Sequence, residues 1–215
     1  MSDEAVVAIL VPVAYLIGTF PSAELVARRR GVDITAAGSG NPGASNAFRV
    51  LGWRAGAAVF ALDAAKGALA AAIGLLVQGR PGALVLGIAA IVGHMLPVTR
   101  RFKGGRGVAT GAGVLLVLFP LLALGALAAW LLIARVTHRA SVASIVVAVG
   151  VPVVAALTGS TWWEVAVLAI VSLLVVARHA SNLGRLVRGE EHGLNPNVDP
   201  ADPPVDPQAD GGASA

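Results

Sequence analysis

Residues 107–134 read GVATGAGVLLVLFPLLALGALAAWLLIA, and this stretch decides how often the chain crosses a membrane. A single helix over these residues would be about 42 Å long at the α-helical rise. That length exceeds a hydrocarbon core of roughly 30 Å. The alternative is a break at Phe119-Pro120, which gives two short helices. Both alternatives assume a membrane protein, which the composition supports.

The composition is that of an integral membrane protein. Of the 215 residues, 56% are hydrophobic and only 13% are charged, whereas a soluble domain carries roughly 25% charged residues. The chain has no cysteine, so disulfides and thiolate metal sites are excluded. We predict no metal and no cofactor. The net charge of +4 is small and the cations lie at the ends of apolar segments, so no nucleic-acid partner is expected.

The positions of the lysines and arginines favour the break, because cytoplasmic loops of membrane proteins are enriched in these residues. With the break, fourteen cations fall on the cytoplasmic side and Arg80 alone falls on the other side. With an unbroken helix, nine cations fall on the cytoplasmic side and six on the other. The fourteen are Arg28, Arg29, Arg30, Arg49, Arg54, Arg100, Arg101, Lys103, Arg106, Arg135, Arg139, Arg178, Arg185 and Arg188.

The sequence therefore predicts an all-α integral membrane protein with seven transmembrane helices, its N-terminus outside and its C-terminus cytoplasmic. Two of the spans flank Phe119-Pro120, and the others cover residues 5–27, 53–77, 83–97, 142–157 and 161–177. Residues 1–191 form this membrane domain. Residues 192–215 are rich in proline and aspartate, cannot bury a core, and are predicted to be a disordered cytoplasmic tail.

The first polar cluster is the glycine-rich stretch GSGNPGASNAFR at residues 38–49. Its glycines let the backbone approach a ligand closely, and its hydroxyls, amides and terminal arginine can surround a phosphate. A flexible loop with turn residues is the competing interpretation. The predicted binding residues of this cluster are Gly38, Ser39, Gly40, Asn41, Ser45, Asn46 and Arg49.

A second cluster precedes the stretch at 107–134 and contains Lys103, Gly104, Gly105 and Arg106. The glycines could place backbone N–H groups at a helix start, where anions bind. The Walker A spacing is missing, and an ordinary positive-inside loop is the alternative. The next cytoplasmic loop ends at Ser141, and Ser144 lies one turn further on; the sequence does not choose between these serines.

The last cluster is residues 178–191. If this segment is helical, His179, Asn182 and Arg185 share one face. His179 is the acid–base candidate, because an unperturbed histidine titrates near neutrality. A basic amphipathic helix on anionic lipid is the alternative, and both interpretations can hold together. Deeper in the second span, Asp63 and Lys66 are three residues apart, which favours an ion pair over direct contact with a ligand.

In three segments the chain resembles the bacterial integral-membrane acyl-phosphate:glycerol-3-phosphate acyltransferases. The first is residues 38–49; the second joins Gly93-His-Met-Leu-Pro to Phe102-Lys-Gly-Gly-Arg-Gly-Val-Ala-Thr110; the third joins His179-x-x-Asn182 to Arg188-Gly-Glu190. Residues 15–21 and 62–67 are also similar to the family. The likeness runs in the same order over residues 12–191.

The resemblance implies a seven-helix membrane enzyme that moves a fatty acyl group from acyl-phosphate to the sn-1 hydroxyl of glycerol 3-phosphate. The products would be lysophosphatidic acid and phosphate, in the first step of bacterial phospholipid synthesis. The implied location is the plasma membrane, among membrane lipids, with the active site on the cytoplasmic side. The implied catalytic residues are His179, Asn182 and Ser39. The other cluster residues, with Ser141 or Ser144, would bind the two substrates.

Three positions depart from the usual pattern of the family. Arg106 replaces a lysine, Ala180 replaces a frequent cation, and Ser45 replaces a threonine. None of these changes removes a required chemical group. Since acyl-phosphate is already activated, we expect a substrate-assisted reaction without a covalent acyl-enzyme. A membrane transporter of a phosphorylated solute is the alternative function.

Overall fold

The computed structural model describes residues 1–194, and the regular elements within that range are all helical. The α-helices are α1 (Asp3–Gly18), α2 (Ser22–Arg28), α3 (Ala44–Leu51), α4 (Trp53–Met95), α5 (Val108–Leu118), α6 (Pro120–Thr137), α7 (Ala140–Leu157), α8 (Trp162–Arg178) and α9 (Ala180–Val187). A short 3-10 turn covers Val98–Arg100. The all-α prediction is confirmed. Residues 195–215, most of the predicted disordered tail, lie outside the described residues.

Several of these helices are long and apolar enough to cross a membrane. Within the described range they are the segments 3–28, 53–100, 120–137 and 140–157. A fifth is reached if α8 and α9, which are bent by 55° relative to each other, count as one span. Helix α5 has only 11 residues. By length and hydropathy alone, the structure thus gives four or five apolar spans.

Helix α4 is a hairpin of two arms. Its dihedral angles are non-helical at Gln78 and Gly79, and Gly79 has a φ of 66°, which is readily open to glycine. Lys66 Nζ lies 2.8 Å from His94 Nδ1, although a straight helix would separate these residues by about 42 Å. The chain therefore turns back on itself where the sequence predicts a turn between two spans.

A second interruption separates α5 from α6. Phe119 leaves the helical region (φ −141°, ψ 65°), and Pro120 begins the next helix. Proline suits the first position of a helix, because its missing N–H would have no partner there. Arg80 Nη1 donates to the carbonyl of Leu118 at 3.0 Å, which satisfies one of the free carbonyls at the end of α5. The predicted break at Phe119-Pro120 is confirmed.

The two arms of α4 lie at the centre of the helix packing, in contact with α1 on one side and α5 on the other. Gly18 packs on the backbone of Ala90, and Gly113 packs on the backbone of Ala64. Small residues at these contacts let helix backbones approach closely, which is how helices associate in membranes. The turn of α4 defines one end of the molecule. The loops before and after α4 gather at the other end.

Candidate active site

A small polar pocket lies at the loop end, where four separate stretches of the chain meet. The residues that line it are Ser39, Asn41, Ser45, Asn46, Arg49, Arg106, Ala140, Ser141, Asn182, Glu191 and His192. Eight of them are site residues that the sequence predicts. The predicted residues that do not line the pocket are Gly38, Gly40, Lys103, Gly104, Gly105, Ser144 and His179.

Asn46 holds together the first wall of the pocket, which is formed by residues 38–49. Its side chain is 1% exposed. Its Nδ2 donates to the carbonyls of Ile34 (3.2 Å) and Ala37 (3.0 Å), and its Oδ1 accepts from the backbone N–H of Ser39 at 2.9 Å. The amide thus folds the glycine-rich loop onto α3. The flexible loop considered for residues 38–49 is not what the structure shows for the second half of this stretch, because residues 44–51 form this helix.

Gly38 and Gly40 shape this wall without lining the pocket. Their φ angles are 58° and 67°, in the left-handed region that side chains rarely adopt. A Cβ on Gly38 would also collide with the amide of Asn46. Both glycines therefore serve the turn that presents Ser39 to the pocket.

Arg49 is the first cation of the pocket. Its Nη1 donates to Asn46 Oδ1 at 3.2 Å, and its Nε donates to the carbonyl of Gly193 at 2.9 Å. Burial lowers the pKa of Arg49, and the nearby Glu191 carboxylate partly offsets this effect. The guanidinium stays charged at neutral pH, because an arginine pKa starts far above 7.

Arg106 is the second cation. Burial lowers its pKa to about 10, so it also remains protonated at neutral pH. The loop that carries it is anchored from both sides. Arg178 Nη2 donates to the carbonyls of Gly104 (3.0 Å) and Gly105 (3.3 Å), and the N–H of Gly105 donates to the carbonyl of His94 at 3.1 Å. Gly104 and Gly105 therefore position the loop from outside the pocket.

The anchor of this loop continues into a buried ion-pair cluster. Lys66 Nζ lies 2.8 Å from Asp63 Oδ1, and the ring of His94 lies 3.6 Å from the same oxygen. Lys66 also donates to the carbonyl of Phe20 at 3.2 Å. The predicted pairing of Asp63 with Lys66 is confirmed. The pair contacts the ring of His94, whose carbonyl accepts from the N–H of Gly105.

The serines on α7 differ in position. Ser141 lines the pocket, whereas the hydroxyl of Ser144 accepts a hydrogen bond from Trp130 Nε1 at 3.0 Å. The Ser141 hydroxyl is buried and has no partner with hydrogen-bond geometry in residues 1–194. The pKa of the Glu191 carboxyl is lowered overall. Burial is the largest influence and raises it, whereas Asn182 and the nearby Ser141 hydroxyl lower it. Of the two alternatives, Ser141 is the one placed at the site. Lys103, by contrast, is exposed.

His179 is a buried neighbour of the pocket. Its Nδ1 lies 2.8 Å from the carbonyl of Val175, so Nδ1 carries the proton and Nε2 is the acceptor. Burial lowers the pKa of His179 to about 4, with Arg106 and Arg178 acting in the same direction. At neutral pH the ring is therefore neutral, and it is a weaker base than an ordinary histidine.

Helix α9 brings Asn182 and Arg185 onto one face, as the helical spacing predicts. Both side chains bind the carboxylate of Glu191: Asn182 Nδ2 donates to Oε1 at 2.5 Å, and Arg185 Nε donates to Oε2 at 3.0 Å. Asn182 is 2% exposed. The segment after α9 thus folds back over the site.

Glu191 and His192 line the pocket although the sequence analysis assigns them no role. Composition placed the end of the domain at 191, because the residues beyond it cannot form a core. The available signal was charge: Glu191 is an acidic residue directly after a segment rich in arginine. Gly193 and Leu194 also make contacts, the latter through its N–H to the carbonyl of His138 at 2.8 Å.

The fold and the pocket define an α-helical membrane protein with a polar pocket at its loop end. Two arginines lie beside the hydroxyls and amides of three serines and three asparagines. Guanidinium groups bind phosphate oxygens with two parallel hydrogen bonds. The pocket therefore suits a phosphate ester that also carries hydroxyl groups.

The chain belongs to the glycerol-3-phosphate acyltransferase family, whose model matches residues 8–189. The chain is 41% identical over 187 residues to the glycerol-3-phosphate acyltransferase of Thermoanaerobacter sp. (strain X514), which covers 85% of this chain and 92% of that relative. It is 37% identical over 186 residues to the Bacillus subtilis (strain 168) protein of the same description, covering 86% and 96%. The family resemblance seen in the motifs is confirmed.

The fold of this chain is similar to that of solved structures. The crystal structure of PlsY (YgiH), an integral membrane glycerol 3-phosphate acyltransferase, in its glycerol 3-phosphate form matches with a TM-score of 0.83 and 36% identity, over 87% of this chain and 94% of that one. Its lysophosphatidic acid form matches with a TM-score of 0.82 and 35% identity, over 88% and 96%. The structural class is therefore an integral membrane protein of the PlsY type.

Proposed function

We propose that this protein transfers a fatty acyl group from acyl-phosphate to the sn-1 hydroxyl of glycerol 3-phosphate, with lysophosphatidic acid and phosphate as products. Family membership supports acylation of glycerol 3-phosphate. The acyl-phosphate donor comes from the motif resemblance and from the chemistry of the pocket. A cluster of cations at one end of the helices suits an acyltransferase with two phosphate-bearing substrates better than it suits a transporter, whose site belongs near the bilayer midplane.

The observation that carries this proposal is the meeting of Arg49 and Arg106 at one pocket. Arg49 lies on α3 and Arg106 lies in the loop before α5, more than fifty residues apart in the sequence and on either side of the α4 hairpin. Both are largely buried, which strengthens their electrostatic attraction for an anion relative to a cation in water. The structural neighbours are described with glycerol 3-phosphate and with lysophosphatidic acid, the acceptor and the product of the proposed reaction.

In the proposed reaction the sn-1 oxygen of glycerol 3-phosphate attacks the carbonyl carbon of acyl-phosphate. The new ester C–O bond forms, the bond between that carbon and the phosphate oxygen breaks, and phosphate leaves with the electron pair. Arg106 and the hydroxyls of Ser39 and Ser141 would stabilise the oxyanion and the departing phosphate. Arg49 and Arg106, with Asn41 and Ser45, would hold the phosphate of glycerol 3-phosphate, so Arg106 would lie between the two phosphate groups. No protein nucleophile is required.

The hydroxyl proton must reach an acceptor as the ester forms. His179 Nε2 is available, but a pKa of about 4 makes it a poor base at neutral pH. The departing phosphate is a stronger base than this histidine. The oxygen that it gains from the broken bond can accept the proton. We therefore assign proton acceptance to the phosphate. His179 and Asn182 would orient the acyl-phosphate and the acceptor hydroxyl.

The proposed topology has seven membrane helices, with the N-terminus outside and the C-terminus and pocket on the cytoplasmic side of the plasma membrane. The hairpin of α4 and the break between α5 and α6 support this topology, in which the seven spans are α1–α2, the two arms of α4, α5, α6, α7 and α8. The cation distribution supports the orientation. Membrane lipids would surround the helices and receive the product.

The test is acyl transfer to radiolabelled glycerol 3-phosphate by the purified protein in lipid, with palmitoyl-phosphate in one reaction and palmitoyl-CoA in another. We expect lysophosphatidic acid only with palmitoyl-phosphate. Product only with palmitoyl-CoA would overturn the donor. Absence of product with both donors, from folded protein that transports glycerol 3-phosphate into sealed vesicles, would overturn the acyltransferase and support a transporter. An acylated Ser39 or Ser45 trapped during turnover would contradict direct transfer.

A further inference from the structure

The carboxylate of Glu191 lies inside a pocket built for anions. Its side chain is 4% exposed, and both of its oxygens are engaged. Asn182 holds Oε1, and Arg185 holds Oε2. The other two cations, Arg49 and Arg106, form no hydrogen bond with this carboxylate within residues 1–194. Glu191 therefore occupies a defined place that leaves those arginines available to a ligand.

This contact fixes the orientation of the Asn182 amide. An ionised carboxylate only accepts hydrogen bonds, so Asn182 must turn its NH₂ group toward Glu191. Its carbonyl oxygen Oδ1 then points away from the carboxylate. That oxygen is buried and has no partner in the part of the chain that the structure describes, although Asn182 lines the pocket. A buried carbonyl oxygen without a partner is a place for a ligand's donor group.

We propose that Glu191 is a positioning residue of this site. It holds the Asn182 amide so that Oδ1 accepts a hydrogen bond from a hydroxyl of the glycerol moiety, and it keeps Arg185 away from the phosphate. The inference rests on the proposed function, because it takes glycerol 3-phosphate as the ligand of the pocket. Hydroxyl recognition then comes from Asn182, and phosphate recognition comes from Arg49 and Arg106.

The residues after Glu191 keep its carboxylate in place. The carbonyl of Gly193 accepts from Arg49 Nε, and the N–H of Leu194 donates to the carbonyl of His138. These bonds attach the segment to α3 and to the turn before α7. The segment thus joins the phosphate side of the pocket to the hydroxyl side.

The test compares the binding of two probes, glycerol 3-phosphate and inorganic phosphate, to the purified protein by calorimetry. For Glu191→Ala we expect affinity for glycerol 3-phosphate to fall about tenfold, because an oriented hydrogen bond is lost. Affinity for inorganic phosphate should stay the same or rise, because a negative charge beside the arginines is removed. Glu191→Gln keeps one acceptor for Asn182 and should lie between the wild type and Glu191→Ala.

The matched control is Glu190→Ala. Glu190 is adjacent in sequence and also pairs with an arginine, Arg188, at 2.7 Å, but both of these side chains are 58% exposed. This variant should bind both probes within about twofold of the wild type, because exposed ion pairs contribute little. A thermal unfolding curve for each variant checks that the protein is folded.

The outcome depends on whether Glu191→Ala changes the affinity for glycerol 3-phosphate and the affinity for inorganic phosphate differently. Equal weakening of both probes in Glu191→Ala would mean a merely structural role, and tighter binding of both would mean that Glu191 competes with the ligand; either result overturns the proposal. Asn182→Ala combined with Glu191→Ala should bind glycerol 3-phosphate no more weakly than Asn182→Ala alone, since Glu191 acts through Asn182. Additive losses would contradict this. Wild-type protein that binds glycerol 3-phosphate but transfers no acyl group would overturn only the proposed reaction, whereas wild-type protein that does not bind it overturns this inference.

Discussion

The two ends of the α4 hairpin both carry buried charge, but they use it differently. At the turn end, Arg80 Nε bonds Glu164 Oε1 at 2.5 Å and its guanidinium lies 4.5 Å from the centre of the Phe119 ring. Glu164 Oε2 accepts from the N–H (3.0 Å) and the hydroxyl (2.7 Å) of Thr161, which completes a capping box at the start of α8. Here both oxygens of the buried carboxylate have partners within the protein.

At the loop end, arginines outnumber the carboxylates that line the pocket. The Ser141 hydroxyl and Asn182 Oδ1 are buried without partners in residues 1–194. Buried polar groups in proteins almost always form hydrogen bonds. Charge with partners inside the protein at the turn end holds the helices together, whereas charge and polar groups without such partners at the loop end support the proposed binding site. Variants at the two ends should therefore affect different measurements.

The largest effect is expected at the loop end. Arg106→Ala and Arg49→Ala should each lower kcat/KM for glycerol 3-phosphate or acyl-phosphate about 100-fold, because each removes a buried charge that stabilises a phosphate. Arg106→Lys keeps the charge but not the two-pronged geometry and should lose about tenfold or less. Steady-state kinetics with both substrates varied will measure this. Activity of Arg106→Ala within threefold of the wild type would break the assignment of the pocket.

At the turn end, Arg80→Ala should affect stability and not chemistry. It leaves the buried Glu164 carboxylate without its ion-pair partner, which should reduce stability by about 2 kcal/mol, below the cost for a fully buried pair because the Arg80 side chain is 44% exposed. Thermal unfolding in detergent measures this, and Glu164→Gln in the same background should recover part of the loss. The kcat per folded molecule should stay within about twofold. A large loss of kcat with unchanged unfolding temperature would contradict the structural role.

A smaller effect separates the two serines of α7. Ser141→Ala should lower kcat/KM about tenfold, since it removes a hydroxyl from the pocket. Ser144→Ala removes only the acceptor for Trp130 Nε1 and should change kcat/KM less than twofold. The two variants are matched in chemistry and lie one turn apart on the same helix. The reverse order of effects would place the site one turn deeper than the structure does.

The smallest expected effect is that of pH on His179. With a pKa of about 4, the ring stays neutral between about pH 6 and pH 8, so kcat should show no histidine step in this range. In the unfolded chain the same ring has the ordinary histidine pKa of 6.5 and takes up a proton near that pH. The unfolded state then binds more protons, so the contribution of this group to stability should fall as pH drops from 6.5 towards 4. A kcat step near pH 6.5 that disappears in His179→Gln would show that the ring titrates normally.

Local sequence signals predicted much of this fold. The excess length of residues 107–134, Pro120 and the cation distribution located the break between α5 and α6, and the predicted spans 53–77 and 83–97 placed the turn of α4 between them. The proline and glycine at these two points act through backbone preferences within a few residues, and the cation count adds a signal from the whole chain. The pairing of Asp63 with Lys66 followed from helical spacing for the same reason.

The parts that sequence could not decide depend on contacts between distant elements. The sequence does not choose between Ser141 and Ser144, whereas the structure places Ser141 at the pocket and Ser144 against Trp130 of α6. Lys103 and Arg106 look alike in the same glycine-rich loop, yet the anchoring of Gly104 and Gly105 by Arg178 turns one to the solvent and the other to the pocket. Glu191 was overlooked because its role appears only when the segment after α9 folds back.

The central claim is that the loop-end pocket, between Arg49 and Arg106, holds the phosphate of the acceptor. The most direct test is an experimental structure of this protein with glycerol 3-phosphate bound. The account predicts phosphate oxygens within hydrogen-bond distance of both guanidinium groups and a glycerol hydroxyl on Asn182. A phosphate bound instead in the groove lined by Arg28 and Arg100, beside α2, would contradict it.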